Sequence, residues 1–187
     1  MTSARFMDRN LADSRRPSRV NERGRSISML PVRRLGWSVV VYLGYTVVML
    51  VFERGMRKTG GPGIIPFELA GNASRAEEIL TVWGAEGRRW ARWSLWLDFG
   101  YMCSYGIAAL LLIERFRSRR GDSIALRLLP VGAVAGDAIE GVALLKVLDG
   151  VDIDANARLG RNAAVTKFAL LGLVWTYVGI CLARKRA

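Results

Sequence analysis

Two carboxylates stand three residues apart within an apolar stretch of the chain, AGDAIEGVALL at residues 135–145. Asp137 and Glu140 share one face of a helix at this spacing. A buried pair of carboxyl groups can serve as general acid and base, or can neutralise a buried cation. Asp137 and Glu140 are therefore the candidate catalytic residues if the chain is an enzyme, although a carboxylate pair by itself specifies no reaction.

The apolar residues around this pair make its charges costly. Residues 126–148 are long enough to cross a lipid bilayer as a helix, and three other apolar runs, at residues 35–52, 94–113 and 163–182, are also long enough. A charge at membrane depth costs several kcal/mol unless it is paired or neutralised. The sequence thus predicts an all-α polytopic membrane protein, a four-transmembrane-helix bundle in which the acids must find partners.

Arginine marks the ends of the predicted spans that face the cytoplasm. It is abundant before the first span, between the second and third spans at ERFRSRRGD, and after the fourth span at RKR. The loop between the third and fourth spans, DGVDIDANARLGR, is acidic on balance. The positive-inside rule then predicts cytoplasmic N and C termini, with the first and third loops outside. Cations that are nearly all Arg, in a chain rich in Ala and Gly, favour a bacterial protein of the inner membrane.

Composition excludes several classes of function. The chain contains no histidine, so histidine-ligated haem, the H-E-x-x-H zinc site and histidine-based triads are ruled out. No phosphate-binding loop, metal-ligand spacing or nucleophile motif is present, and we predict no cofactor and no metal. The net charge of +12 lies mostly in the cytoplasmic flanks, where topology and anionic lipids explain it, so we predict no nucleic-acid binding.

Two regions lie outside the predicted spans. Residues 1–33 are polar, rich in Arg and Ser, and lack apolar periodicity, which predicts a disordered cytoplasmic tail before a transmembrane domain at residues 34–187. Met29 is an alternative start of translation, since it stands just ahead of LPVRRLGW. In the outer loop, residues 53–93, the sequence first predicts an irregular segment rich in Gly and Pro. It then predicts a short amphipathic helix, SRAEEILTVWG, which begins with a capping-box pattern.

Three segments carry a resemblance to a known group of proteins. Together, PFELAGNASRAEEILTVWG, LWLDFGYMCSYG and GDAIEGVALLKVL resemble a family of small uncharacterised bacterial membrane proteins with four helices. The resemblance covers about residues 35–182. In that family the position after the second acid is usually Asn, where this chain has Gly141. The resemblance implies the four-helix topology and no activity, and it draws attention to the segments LDF and DAIEG.

Counting residues from the predicted span boundaries gives the depth of each intramembrane charge. Asp98 lies roughly 6 Å below the outer boundary, and Lys167 lies at a similar depth. Glu140 lies about 12 Å and Asp137 about 16 Å below the same boundary. The depths therefore predict an Asp98–Lys167 ion pair. Glu140 would pair with Lys146 or Lys167.

Asp137 has no basic residue at its predicted depth. We therefore expect it to be protonated or to accept hydrogen bonds, with tyrosines of the second span as the nearest donors. The predicted binding site consists of the polar residues expected to point into the core: Asp98, Tyr101, Tyr105, Asp137, Glu140 and Lys167.

Three functions remain open from the sequence. The first is a cavity, opening to the outer side, that binds or transports a small amphiphile, a cation or a lipid. The second is a membrane enzyme that uses Asp137 or Glu140 as general acid or base on a lipid or isoprenoid. The third is a purely structural role, in which buried ion pairs fix helix register in a membrane assembly protein. Membrane lipids and a second copy of the chain are the partners left open.

Overall fold

The computed structural model describes the backbone of residues 20–184 and the side chains of residues 33–184. Within this range every secondary-structure element is a helix. A 3-10 turn, Ile124–Arg127, stands before the fourth helix. The five α-helices are α1 (Val20–Lys58), α2 (Ile64–Glu68), α3 (Ala73–Arg120), α4 (Leu128–Leu148) and α5 (Ile153–Ala183).

Four segments of this helical chain are long and apolar enough to cross a membrane. They are Arg33–Lys58, Ala73–Arg120, Ile124–Leu148 and Ile153–Ala183. Each contains one of the four predicted spans. Large apolar side chains such as Trp37, Val47 and Trp175 are exposed on these helices, as expected where lipid is the solvent. The prediction of an all-helical chain with four helices able to span a membrane is confirmed.

α1 begins earlier than the predicted first span. It starts at Val20, inside the segment for which the sequence predicts a disordered tail. Residues 1–19 of that tail lie outside the described residues. An apolar span already provides a helix nucleus, and each residue added to its N-terminal end needs only the more favourable propagation step. This explains how a polar segment can extend the helix.

The predicted short helix of the outer loop corresponds to the first part of α3. Its N-cap is Asn72, whose side chain accepts a hydrogen bond from the backbone N–H of Arg75 at 2.9 Å, so the predicted capping box is not used. A break at Gly84, with φ 57° and ψ −160°, separates this part from the long span. Glycine adopts such a positive φ at little cost, so the chain can change direction there.

The buried face of this first part of α3 packs on the protein itself. Ala76, Ile79, Leu80 and Trp83 belong to one apolar cluster with Met56 of α1, Phe67 of α2 and the C-terminal end of α4. The Phe67 and Trp83 rings are 5.0 Å apart, a favourable separation for two aromatic rings. The sequence predicts a helix lying at the outer surface, whereas the structure has one that supports α2.

α3 is the helix that contacts each of the other long helices. It packs against α1, α4 and α5, while α4 packs mainly against α3 and α5. The small residues of α4 suggest a central position for that helix, but they serve its close approach to α5. A Cβ atom placed at Gly136 would lie 3.4 Å from the carbonyl oxygen of Ala163 and 3.7 Å from Cβ of Lys167.

Gly136→Leu is expected to lower thermal stability in detergent, by an amount corresponding to about 1–3 kcal/mol of overpacking. The first carbon fits, but the rest of a leucine side chain would meet the α5 backbone. Gly136→Ala should have a much smaller effect. Gly172→Leu is the matched control, because nothing lies within 4 Å of a Cβ atom at Gly172. Melting temperatures of the purified variants test this, and equal values for Gly136→Leu and Gly172→Leu would contradict the packing described.

Candidate functional site

The close approach of α4 and α5 brings three predicted site residues into direct contact. Lys167 Nζ donates a hydrogen bond to Asp137 Oδ1 at 2.9 Å and lies 2.7 Å from Glu140 Oε2. All three residues are buried, with 2–6% of their surface exposed. The i, i+3 spacing therefore places both carboxylates on one helix face, where they contact the same ammonium group.

A fourth charge reaches the same ammonium group from outside the spans. Glu68 Oε2 lies 3.7 Å from Lys167 Nζ, and the Glu68 side chain is only 12% exposed. Asp98, on α3, completes the group, because its carboxyl group lies beside that of Asp137. Glu68, Asp98, Asp137, Glu140 and Lys167 are called the acid–lysine cluster below.

The predicted Asp98–Lys167 ion pair is wrong. The ion pairs of Lys167 in the described part of the chain are with Glu68, Asp137 and Glu140. Asp137, for which the depth argument finds no basic partner, is the residue to which Lys167 donates its hydrogen bond. A depth counted along upright helices is uncertain by about one helical turn, 5.4 Å, because the span boundaries and helix tilts are unknown. An error of this size is enough to change which residues lie at the same depth.

The open question about Glu140 is answered in favour of Lys167. Lys146, the other candidate, is exposed and makes no ion pair within the described residues. It lies six residues beyond Glu140 toward the end of α4. An exposed lysine at a helix end keeps its hydration and has little to gain from a buried partner.

The two predicted tyrosines have different positions in the site. The Tyr105 hydroxyl donates a hydrogen bond to Asp137 Oδ2 at 2.7 Å, so Asp137 receives one donor on each oxygen. Tyr101 stacks on Tyr42 of α1, with ring centroids 5.6 Å apart, and meets the Tyr105 ring edge to face at 5.7 Å. Tyr101 thus joins α1 to α3 beside the cluster, and Tyr105 is the tyrosine that touches an acid.

Glu68 is the site residue that sequence analysis misses. It ends α2, a five-residue helix whose position is fixed by Glu53 of α1, which accepts a hydrogen bond from the backbone N–H of Ile64 at 2.8 Å. Trp83 Nε1 also donates to the carbonyl oxygen of Pro62 at 2.7 Å, just before α2. The available signal was an acid within the apolar run IIPFELAG, where a charge needs a partner.

Burial raises the pKa of the Glu68 carboxyl group above its usual value, and the charge of Lys167 opposes only part of that effect. Glu68 Oε2 is fully buried and accepts no hydrogen bond from the described residues. Glu140 Oε2 also accepts none from them, although it forms an ion pair with Lys167 Nζ at 2.7 Å. Both oxygen atoms are shielded from the cavity, so the ammonium group of Lys167 is the cation that stabilises them.

The charges of the cluster do not balance. Four carboxyl groups face one ammonium group. Asp98 makes no ion pair with any described residue, and it is partly exposed. Several carboxylates around a single cation in a poorly solvated place cannot all stay ionised without a further positive charge. The cluster must therefore hold protons or accept an additional cationic group.

A cavity of about 440 Å³ lies against this cluster, bounded by α1, α3 and α5 and covered by α2. Its polar wall is formed by Glu68, Asp98, Asp137 and Lys167, with Tyr101 and Tyr105 beside them. The rest of its wall is mostly apolar and includes Leu35, Val39, Leu43, Ala108, Ala109, Leu112, Phe168, Leu171 and Trp175. The site is thus a charged end joined to an apolar groove, a combination suited to a molecule with a polar head and an apolar tail.

No known protein family, curated protein or solved structure matches this chain. Among the described residues, no group of three or more Cys, Asp and Glu side chains is placed to hold a metal ion.

Lys167→Met is expected to destabilise the protein by about 3–5 kcal/mol, because it leaves several buried carboxyl groups without their cation. Adding Asp137→Asn should recover part of that loss, since the removed charges interact directly. Adding Asp98→Asn should recover less, because Lys167 makes no ion pair with it. Lys146→Met, at an exposed lysine, is the control and should change little. Melting temperatures of these variants in detergent give the couplings, and equal recovery by the two Asn substitutions would contradict this pairing.

Proposed function

We propose that this protein is an integral membrane protein that binds or transports a small amphiphile, with the polar head at the acid–lysine cluster and the tail in the apolar groove. The observation that carries the proposal is that the charged residues form one wall of a cavity instead of a closed core. A cavity of about 440 Å³ is within the range of roughly 300–1,000 Å³ found for small-molecule sites.

The purely structural alternative explains Asp137 and Glu140 but not Asp98. An acid that only fixes helix register needs a partner, yet Asp98 has no ion-pair partner among the described residues and faces the cavity. The enzyme alternative uses the same carboxylates on a lipid or isoprenoid. Its general acid or base would be Asp137 or Glu140, and both are already engaged by Lys167. Binding without chemical change therefore accounts best for the site.

We further propose that the four long helices form one bundle in a bacterial inner membrane, with both termini in the cytoplasm and the cluster toward the outer side. Contacts at the two ends support this arrangement. At one end Asp154 accepts a hydrogen bond from the backbone N–H of Ala73, and Arg92 pairs with Asp149 at 2.6 Å. The opposite end carries the Arg-rich segment from residue 115 to residue 127, where the positive-inside rule expects cytoplasm.

Ligand analysis tests the binding function directly. Wild-type protein purified in a mild detergent should carry an amphiphile that mass spectrometry detects, chemically identical to the molecule in the membrane extract. Asp98→Asn should retain the melting temperature, because removal of this charge leaves no ion-pair partner uncompensated. The same variant should reduce the amount of bound amphiphile at least tenfold. Glu77→Gln, at an exposed acid outside the cavity, is the matched control.

The other functions give different results in the same experiment. An enzyme would yield a converted molecule whose appearance requires Asp137 or Glu140. A structural role would give no bound amphiphile, together with a loss of stability in Asp98→Asn similar to that in Asp137→Asn. Either result would overturn the proposed binding function.

Topology is tested by reporter fusions. A periplasmic reporter fused after Gly71 should be active, because the first loop is expected outside, and a cytoplasmic reporter fused after Arg119 should be active in the second loop. Each reporter at the other position is the control and should be silent. The reversed pattern would place the cluster toward the cytoplasm.

A further inference from the structure

We propose that the occupant of the cavity is a single-chain amphiphile with a primary ammonium head, whose tail runs along the groove between α1, α3 and α5. This inference rests on the proposed function and specifies its ligand class. It comes from three features of the described residues: the partly exposed Asp98 carboxyl group without an ion pair at the charged end, the excess of carboxyl groups there, and the length of the apolar wall.

The head group follows from which atoms of the cluster lack partners. Lys167 already forms ion pairs with Asp137 and Glu140, so its charge is not available to balance an acidic ligand. Glu68 and Asp98 line the cavity, and Asp98 is partly exposed there without an ion pair among the described residues. A ligand head that is positive and donates hydrogen bonds would complement this carboxyl group.

A primary ammonium group meets both requirements, because it carries one positive charge and three N–H donors. A quaternary ammonium group has the charge but no N–H, so it could not donate a hydrogen bond to the Asp98 carboxyl group. An alcohol donates one hydrogen bond without a charge, and a carboxylate or phosphate head would face like charges. Hydrogen bonding to Asp98 thus separates heads that charge alone would treat as equal.

The tail follows from the length of the apolar wall. Fourteen residues separate Leu35 from Met49 on α1, and fourteen separate Asp98 from Leu112 on α3. A helix of this length rises about 21 Å. An extended chain advances about 1.2 Å per single bond, so a tail of roughly 17 carbons would cover the groove.

The size of the cavity favours one chain over two. At about 440 Å³ it lies in the lower half of the range for small-molecule sites, although it extends along fourteen residues of two helices. A long cavity of modest volume is narrow. A two-chain lipid with the same amine in its head group would therefore have to leave one chain outside the groove.

Native mass spectrometry of the full-length protein in a non-ionic detergent tests the head group with the tail held constant. The probes are hexadecylamine, hexadecyltrimethylammonium, hexadecanol and hexadecanoate, with a two-chain phosphatidylethanolamine as a fifth. Hexadecylamine should bind at least tenfold tighter than each of the others. Glu68→Gln and Asp98→Asn should each remove most of this preference, whereas the exposed-site control Glu77→Gln should keep it.

A second series tests the tail with the head held constant. Ala109 lies eleven residues beyond Asp98 along α3, about 16 Å down the groove. Ala109→Trp should weaken hexadecylamine at least tenfold and leave decylamine, whose tail ends above this position, unchanged. Ile107→Trp is the matched control, because Ile107 is 54% exposed on the same helix and does not line the cavity.

Each outcome bears on one part of the inference. Binding of none of the probes would remove the proposed function itself. Equal binding of all single-chain heads would overturn the ammonium assignment but leave an amphiphile site, and equal binding of the two-chain lipid would overturn the single chain. Equal weakening of both amines by Ala109→Trp would contradict the position of the tail. If that variant does not fold, the affinity of the wild-type protein for amines of increasing tail length tests the same point. This affinity should stop rising between hexadecylamine and eicosylamine. A continued rise would overturn the inferred length of the groove.

Discussion

The architecture around the site depends on one buried ammonium group. Lys167 of α5 contacts Asp137 and Glu140 of α4 and Glu68 of the loop helix α2, so a single side chain connects two spans and the cover of the cavity. An unpaired charge in such a place would be strongly destabilising, and so would the carboxylates without it. The register in which these helices pack brings the charges into contact with one another.

The segments between α1 and the long part of α3 shape the site in a way that their irregular sequence does not suggest. Glu53 holds the start of α2 through the backbone of Ile64, and the Phe67 and Trp83 rings pack beneath it. This framework carries Glu68 into contact with a lysine on the last helix. The loop is thus part of the site, and a change in the apolar cluster below α2 would reach the charged end through the position of one carboxyl group.

The excess of acids over bases gives the site its proposed chemistry. A balanced set of ion pairs would be complete, and an apolar groove alone would accept any hydrocarbon tail. In this protein the groove ends at a wall with more acidic than basic groups, where Asp98 has no ion-pair partner among the described residues. A ligand that brings both a positive charge and N–H donors would complement this wall best. Affinity for the tail and selectivity for the head would then come from different walls of one cavity.

Sequence alone determined the four apolar helices, because a span of sufficient length leaves the backbone no other way to satisfy its hydrogen bonds in lipid. It also determined which charges need partners: Asp98, Asp137, Glu140 and Lys167 stand in spans that make them costly. The tertiary structure decided which of these charged residues form ion pairs with one another. Lys167 meets Asp137 rather than Asp98 because small residues bring α4 against α5, and a depth count along separate helices contains no such contact. Glu68 enters the site through the fold of the segment between α1 and α3, a long-range contact that no local pattern specifies.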